Sequence, residues 1–135
     1  MLFNYYITFK IIKMMQRILA VDDNEDILEV LQLILEDSDY EVETLTDGHL
    51  LFDKIKAHRP DLILLDIMLG SMDGRELCKD VKSRKDTHDI PIILISASHS
   101  LTDRFMPGNA PNDFLAKPFD INELLKKVHT QLSAA

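Results

Sequence analysis

Five polar side chains stand where an apolar run stops. Asp22 and Asp23 follow Ile18–Val21, Asp66 follows Leu62–Leu65, Ser96 follows Ile92–Ile95, and Lys117 follows Phe114–Ala116. Brought together, three carboxylates would repel one another. Two like charges about 4 Å apart at an effective dielectric of about 20 cost about 4 kcal/mol, so an uncompensated triple resists ionisation. A hard divalent cation and the Lys117 ammonium would neutralise the group. Oxygen donors that leave room for water favour Mg²⁺ over zinc, which prefers nitrogen or sulfur. A metal with open positions beside a carboxylate can bridge to a phosphoryl oxygen, the clamp that phosphoryl transfer needs. Each residue alone has an ordinary explanation: Asp22 and Asp23 as helix caps, Asp66 as a strand-end turn, Ser96 and Lys117 as surface groups. Their convergence is what gives the chemical reading its weight.

Convergence depends on the elements that carry these residues. The runs 18–21, 42–45, 62–65, 92–95 and 114–116 read as strands, and three of them (18–21, 62–65, 92–95) are apolar throughout, as strands buried on both faces of a parallel sheet are. Amphipathic segments lie between them. Ile27, Val30, Leu31 and Ile34 predict one face of a helix over about 25–37, with Asn24 as its N-cap. Helices are expected near 48–58 and 74–84. The last helix carries Ile121, Leu124, Leu125, Val128 and Leu132, with a capping box from Asp120 to Glu123 and a Phe119–Leu124 staple. Five β-α units imply a parallel sheet with helices on both faces. The C-terminal ends of such strands share one edge, where open α/β sheets bind ligands.

Length and composition agree with a single folded domain: 135 residues, 46% hydrophobic and 28% charged. A net charge of −8 argues against a nucleic-acid groove, which needs a clustered basic face. Cys78 is the single cysteine and is expected in core packing, while His49, His58, His88, His99 and His129 lack metal-ligand spacing. The expected compartment is the cytosol. Residues 1–13 are too short and too charged to span a bilayer, and no small-residue cleavage site follows. Two readings of residues 1–15 stand side by side. Translation begins at Met14 or Met15, or the alternation of Phe3, Tyr5, Ile7, Phe9 and Ile11 adds an edge strand or a dimer contact.

The stretches Ile18-Leu19-Ala20-Val21-Asp22-Asp23-Asn24, Leu64-Leu65-Asp66-Ile67-Met68-Leu69, Met72-Asp73-Gly74, Ser96-Ala97 and Lys117-Pro118-Phe119 resemble the response-regulator receiver family (CheY-like). The resemblance covers about residues 17–133. It implies a flavodoxin-like, doubly wound sheet in the order 2-1-3-4-5, with residues 16–135 acting as a stand-alone receiver. It also implies that Asp66 accepts a phosphoryl group from a histidine kinase or phosphotransfer protein. Asp23, Asp66 and the Met68 backbone carbonyl would ligate Mg²⁺, with Asp22 acting through a coordinated water. Lys117, Ser96 and the Ala97 amide would contact phosphoryl oxygens. Ser96 and Phe114 would form the switch that reports phosphorylation to a downstream protein, and a cis bond before Pro118 would match the family.

The chain departs from the family in two places. Gly70-Ser71 stands where Pro-Gly is common, which predicts a looser loop beside Asp66. Pro107, Gly108 and Pro111 predict a short or irregular helix between Ser96 and Phe114, and with it an unusual partner contact or dimer. Met68 and Ser98, at the positions that tune hydrolysis in the family, predict a persistent phosphoryl group. A phosphorylation-independent interaction module is the main alternative, but such modules usually lose an acid or the lysine. An aspartyl-phosphate phosphatase would want an Asp where Met68 stands, and a nucleotide-binding flavodoxin-like protein would not place Asp22-Asp23 against phosphate.

Overall fold

The computed structural model describes Asn4, Tyr5, Ile7, residues 15–97 and residues 105–133. Five strands, β1 (Arg17–Val21), β2 (Glu41–Leu45), β3 (Leu62–Asp66), β4 (Ile92–Ser96) and β5 (Asp113–Ala116), pair in parallel in the order β2-β1-β3-β4-β5. Four α-helices follow within residues 15–97 and 105–133: α1 (Glu25–Asp37), α2 (Leu51–Ala57), α3 (Gly74–Ser83) and α4 (Ile121–Ser133). A 3-10 turn, Gly48–Leu50, leads into α2. The chain steps from β1 outward to β2 and then returns past β1 to β3. That reversal opens a crevice at the C-terminal ends of β1 and β3.

Strand periodicity divides the core in two. Leu19, Val21, Ile63, Leu65, Ile92 and Leu94 point to the face covered by Leu51 and Ile55 of α2 and Leu77, Cys78 and Val81 of α3. Ile18, Ala20, Leu62, Leu64, Ile93 and Ile95 point to the face covered by α1 and α4. Each large side chain so buried contributes about 1.5–3 kcal/mol of transfer free energy. Cys78 belongs to this packing: it is fully buried, and burial pushes its thiol up to about 11.

Helix starts follow the expected chemistry. Asn24 Oδ1 accepts from the Asp26 and Ile27 amides at 2.9 and 3.3 Å, and Asp120 Oδ1 accepts from those of Asn122 and Glu123 at 2.8 and 3.1 Å. The buried face of α1 differs from expectation. Leu28, Leu31 and Leu35 are buried, Ile27 and Ile34 are partly so, and Val30 is about half exposed. With apolar residues at seven of its thirteen positions, α1 allows two overlapping stripes, and packing on the sheet selects the one centred on Leu31.

Asn4, Tyr5 and Ile7 are helical and exposed. The rest of residues 1–13 lies outside the described residues. Between β4 and β5, residues 105–112 form turns and bends rather than helix, as Pro107 and Pro111 require. Gly108 adopts φ +89°, and the Asn109 amide bonds back to the Met106 carbonyl at 3.0 Å. Residues 98–104, including Ser98, lie outside the described residues.

Candidate functional site

Each acidic residue of the crevice arrives there because a strand ends. Asp22 leaves β1 and Asp66 closes β3, the two strands being in register from Ile18–Leu62 to Val21–Leu65. Both carboxylates are buried, Asp22 at 1% and Asp66 at 5% exposure, while Asp23 is exposed. One carboxylate oxygen from each of the three lies within 4.8 Å of the others, the one such acidic, histidine or cysteine group among the described residues. Lys117, just after β5, lays its ammonium between the two buried acids, 2.9 Å from Asp22 Oδ2 and 2.9 Å from Asp66 Oδ2. Its peptide bond to Pro118 is cis.

The buried acids divide their oxygens between two tasks. Asp22 Oδ1 accepts from the Asn24 amide at 2.9 Å, and Asp66 Oδ1 accepts from the Met68 amide at 3.2 Å. These bonds fold the loops after each strand: the strand-end turn expected of Asp66 holds for one of its oxygens, whereas the cap of α1 is Asn24 rather than Asp22. The Oδ2 atoms face Lys117. Burial pushes the Asp22 carboxyl above its ordinary range, against the Asn24 amide and the Lys117 ammonium, which favour the charged form; Asp66 adds repulsion. Burial alone would lower Lys117, but its hydrogen bonds to Asp22 and Asp66 outweigh that and raise it. The lysine therefore stays charged where it is needed.

Three carboxylates and one ammonium leave two negative charges. A divalent cation with oxygen preference fits that donor set and that charge. The cleft that would receive it measures about 320 Å³ and is lined by Asp22, Asp23, Asn24, Ile27, Asp66, Met68, Gly70, Ala97 and Lys117. Ser96 is buried at the end of β4, and its carbonyl accepts from the Lys117 amide at 2.8 Å. Phe114 is partly buried against the α2–α3 core, its ring 6.3 Å from that of Phe105 at 53°. Five of the expected site residues (Asp22, Asp23, Asp66, Met68, Lys117) thus line one cleft. Ser96 stands beside it, and Phe114 lies two residues before the end of β5.

Two features escaped the sequence reading. Residues Met68–Leu69 and Met72–Asp73 pair as a short antiparallel hairpin, with Gly70 and Ser71 as its two-residue loop rather than an open segment. Gly70 takes φ +62°, as a two-residue loop with glycine first allows, and its amide donates to Asp23 Oδ2 at 3.1 Å. The Gly-Ser pair between short apolar flanks was the available signal. The second is how tightly Gly74 sits under Asp66. A Cβ at Gly74 would overlap the Asp66 carbonyl oxygen and come within 2.9 Å of the Ile67 Cα.

Comparison with known proteins agrees with this geometry. The family described as "Response regulator receiver domain" matches residues 18–129. The chain belongs to the response regulator receiver domain family. This receiver domain is 38% identical over 117 residues to the response regulator MprA of Mycolicibacterium vanbaalenii, a match covering 86% of the chain and 50% of that protein. The chain thus spans about half the length of the curated relatives it matches. Its fold matches the chemotaxis response regulator CheY4 of Vibrio cholerae with TM-score 0.78 at 30% identity, covering 87% of this chain and 98% of that one. It also matches the receiver domain of the sensor histidine kinase PA1611 from Pseudomonas aeruginosa with TM-score 0.78 at 29% identity, over 89% and 99% of the two chains. That structure has a magnesium ion coordinated in its active-site cleft. The receiver domain is a two-component signalling module with the flavodoxin-like sheet order expected. No helix among the described residues is long and apolar enough to cross a membrane.

Proposed function

We propose that Asp66 is the phosphoryl acceptor of this receiver domain and that the donor is a phosphohistidine on a histidine kinase or phosphotransfer protein in the cytoplasm. The observation that carries this reading is the Lys117 ammonium, 2.9 Å from both Asp22 and Asp66 inside a crevice that holds a third carboxylate. The Asp66 Oδ2 atom attacks phosphorus, a P–O bond forms, and the P–N bond to the donor imidazole breaks. The bonding pair returns to the ring nitrogen, which takes a proton from solvent. Lys117 is already charged and in place, so it meets negative charge growing on the phosphoryl oxygens without rearrangement. At an effective dielectric of about 20, each such contact near 3 Å is worth on the order of 5 kcal/mol before desolvation is counted.

Mg²⁺ suits the oxygen donors present: Asp23, Asp66 and the Met68 carbonyl would hold it, with Asp22 acting through water. When bound, it supplies a Lewis acid that neutralises the acids and polarises the phosphoryl group. Ser96 and the Ala97 amide, at the end of β4, contact another phosphoryl oxygen. Phe114 then passes the change to the surface around β5 and α4, where a downstream protein reads it. A phosphorylation-independent role has less support, because the acids and the lysine all stand in place.

Incubation with acetyl phosphate and Mg²⁺, followed by intact mass measurement, tests the reading. A phosphate adduct is expected, and it should vanish with EDTA and in Asp66→Asn. An adduct that persists under both conditions would defeat the proposal.

A further inference from the structure

Asp23 is the exposed member of the acidic group, and an exposed carboxylate is free to swing into water unless something holds it. One contact does so. The Gly70 amide donates to Asp23 Oδ2 at 3.1 Å across 47 positions of sequence, while the structure gives Oδ1 no hydrogen bond among the described residues. The donor depends on the hairpin. Met68 pairs with Asp73 and Leu69 with Met72, so Gly70 must turn the chain within two residues, and it does so at φ +62°. That conformation aims its N–H back across the cleft toward the loop after β1. A side chain at Gly70 would meet nothing within 4 Å, so the position is restricted by its backbone rather than by space.

From this we infer that Gly70 is a positioning residue for the metal: its amide, presented by the 68–73 hairpin, holds the Asp23 carboxylate over the cleft and leaves Oδ1 for the cation. This rests on the reading of Asp23 as a metal ligand. A carboxylate oriented in advance loses less freedom when the ion binds, and partners of this kind commonly change metal affinity 10–100-fold when removed. The departure at Gly70-Ser71, which the sequence presents as a looser loop, thereby becomes a link between the β1 and β3 loops.

Titration calorimetry with Mg²⁺ on Gly70→Asn, Gly70→Ala and Gly70→Pro tests it, each variant first checked for native circular dichroism. Asn tolerates the left-handed region and keeps the amide, so it should bind Mg²⁺ like the natural protein. Ala keeps the amide at a strained φ and should bind more weakly. Pro has no N–H and cannot take the positive φ, so its affinity should fall by about tenfold or more. Amide hydrogen exchange in metal-free protein provides a readout that needs no Pro variant: Asp23→Ala should speed exchange at Gly70. Unchanged or tighter Mg²⁺ binding in Gly70→Pro, or unchanged Gly70 exchange in Asp23→Ala, would overturn the inference. A natural protein that binds Mg²⁺ yet takes no phosphate from acetyl phosphate would remove the acceptor reading and leave this one standing.

Discussion

Asp22 and Asp66 each use one oxygen to fold a loop and the other to meet Lys117, so structure and chemistry are joined within single carboxylates. Gly74 belongs to the same economy of space. A Cβ there would strike the Asp66 and Ile67 backbone, which cannot step aside as a flexible side chain can. Gly74→Ala should therefore lose about 1–3 kcal/mol in urea denaturation and take up phosphate more slowly. Gly48→Ala, whose Cβ would meet the side chains of Leu77, Met72 and Leu69 first, should retain more of both. If the two variants behave alike, close packing under Asp66 is not what Gly74 provides. Asp73 gives a pH prediction. Its hydrogen bonds to the Arg75 side chain hold its carboxyl below the ordinary 3.8, and Asp73 Oδ1 also caps α3 through the Arg75 amide at 2.9 Å. A depressed folded value means that the stabilisation is complete above 3.8 and disappears as pH falls through the lower folded value. Asp73→Asn keeps a capping oxygen but not the charge. Its stability deficit in denaturant titrations should thus hold steady above 3.8 and close as pH falls through the lower folded value; a deficit that grows with acid would contradict the assignment.

Among the elements, α1 shows where sequence pattern alone runs out. Its apolar residues outnumber the positions one face can hold, and only the sheet decides that Leu28, Leu31 and Leu35 turn inward while Val30 does not. Leu31→Ala should cost about 2–5 kcal/mol by chemical denaturation, whereas Val30→Ala should stay within about 0.5 kcal/mol. Equal costs would mean that the helix packs on its other stripe. The strands were easier to read, because runs such as Leu62–Leu65 are apolar at every position and a parallel sheet buries them on both faces. The same logic made the acidic site legible: Asp22, Asp23, Asp66 and Lys117 are the first polar residues after those runs. The hairpin was not legible in the same way. Two residues on each side of Gly70-Ser71 are too few to show a period, and the Gly70–Asp23 bond joins segments that sequence spacing does not relate. Pro107 and Pro111 suit the turns and bends at residues 105–112, since proline lacks the donor a helix interior needs.

At the scale of the whole molecule, the sheet has two covered faces and one chemical edge. Among the described residues, α2 and α3 cover one face and α1 and α4 the other, and the C-terminal ends of β1, β3, β4 and β5 meet around the crevice. The order β2-β1-β3-β4-β5 puts the switch in winding direction between β1 and β3, so the acids fall at the point where the crevice opens. A fold of this kind serves many functions, so the proposed acceptor role rests on the residues at that edge. The most direct test of that claim locates the phosphoryl bond itself. Protein treated with acetyl phosphate and Mg²⁺ is reduced with borohydride, which converts an acyl phosphate on aspartate to homoserine, and the product is sequenced by tandem mass spectrometry. The account predicts homoserine at position 66 and at no other acidic position. Modification at Asp22 or Asp23, or a phosphate that resists borohydride because it sits on Ser96 or a histidine, would contradict it.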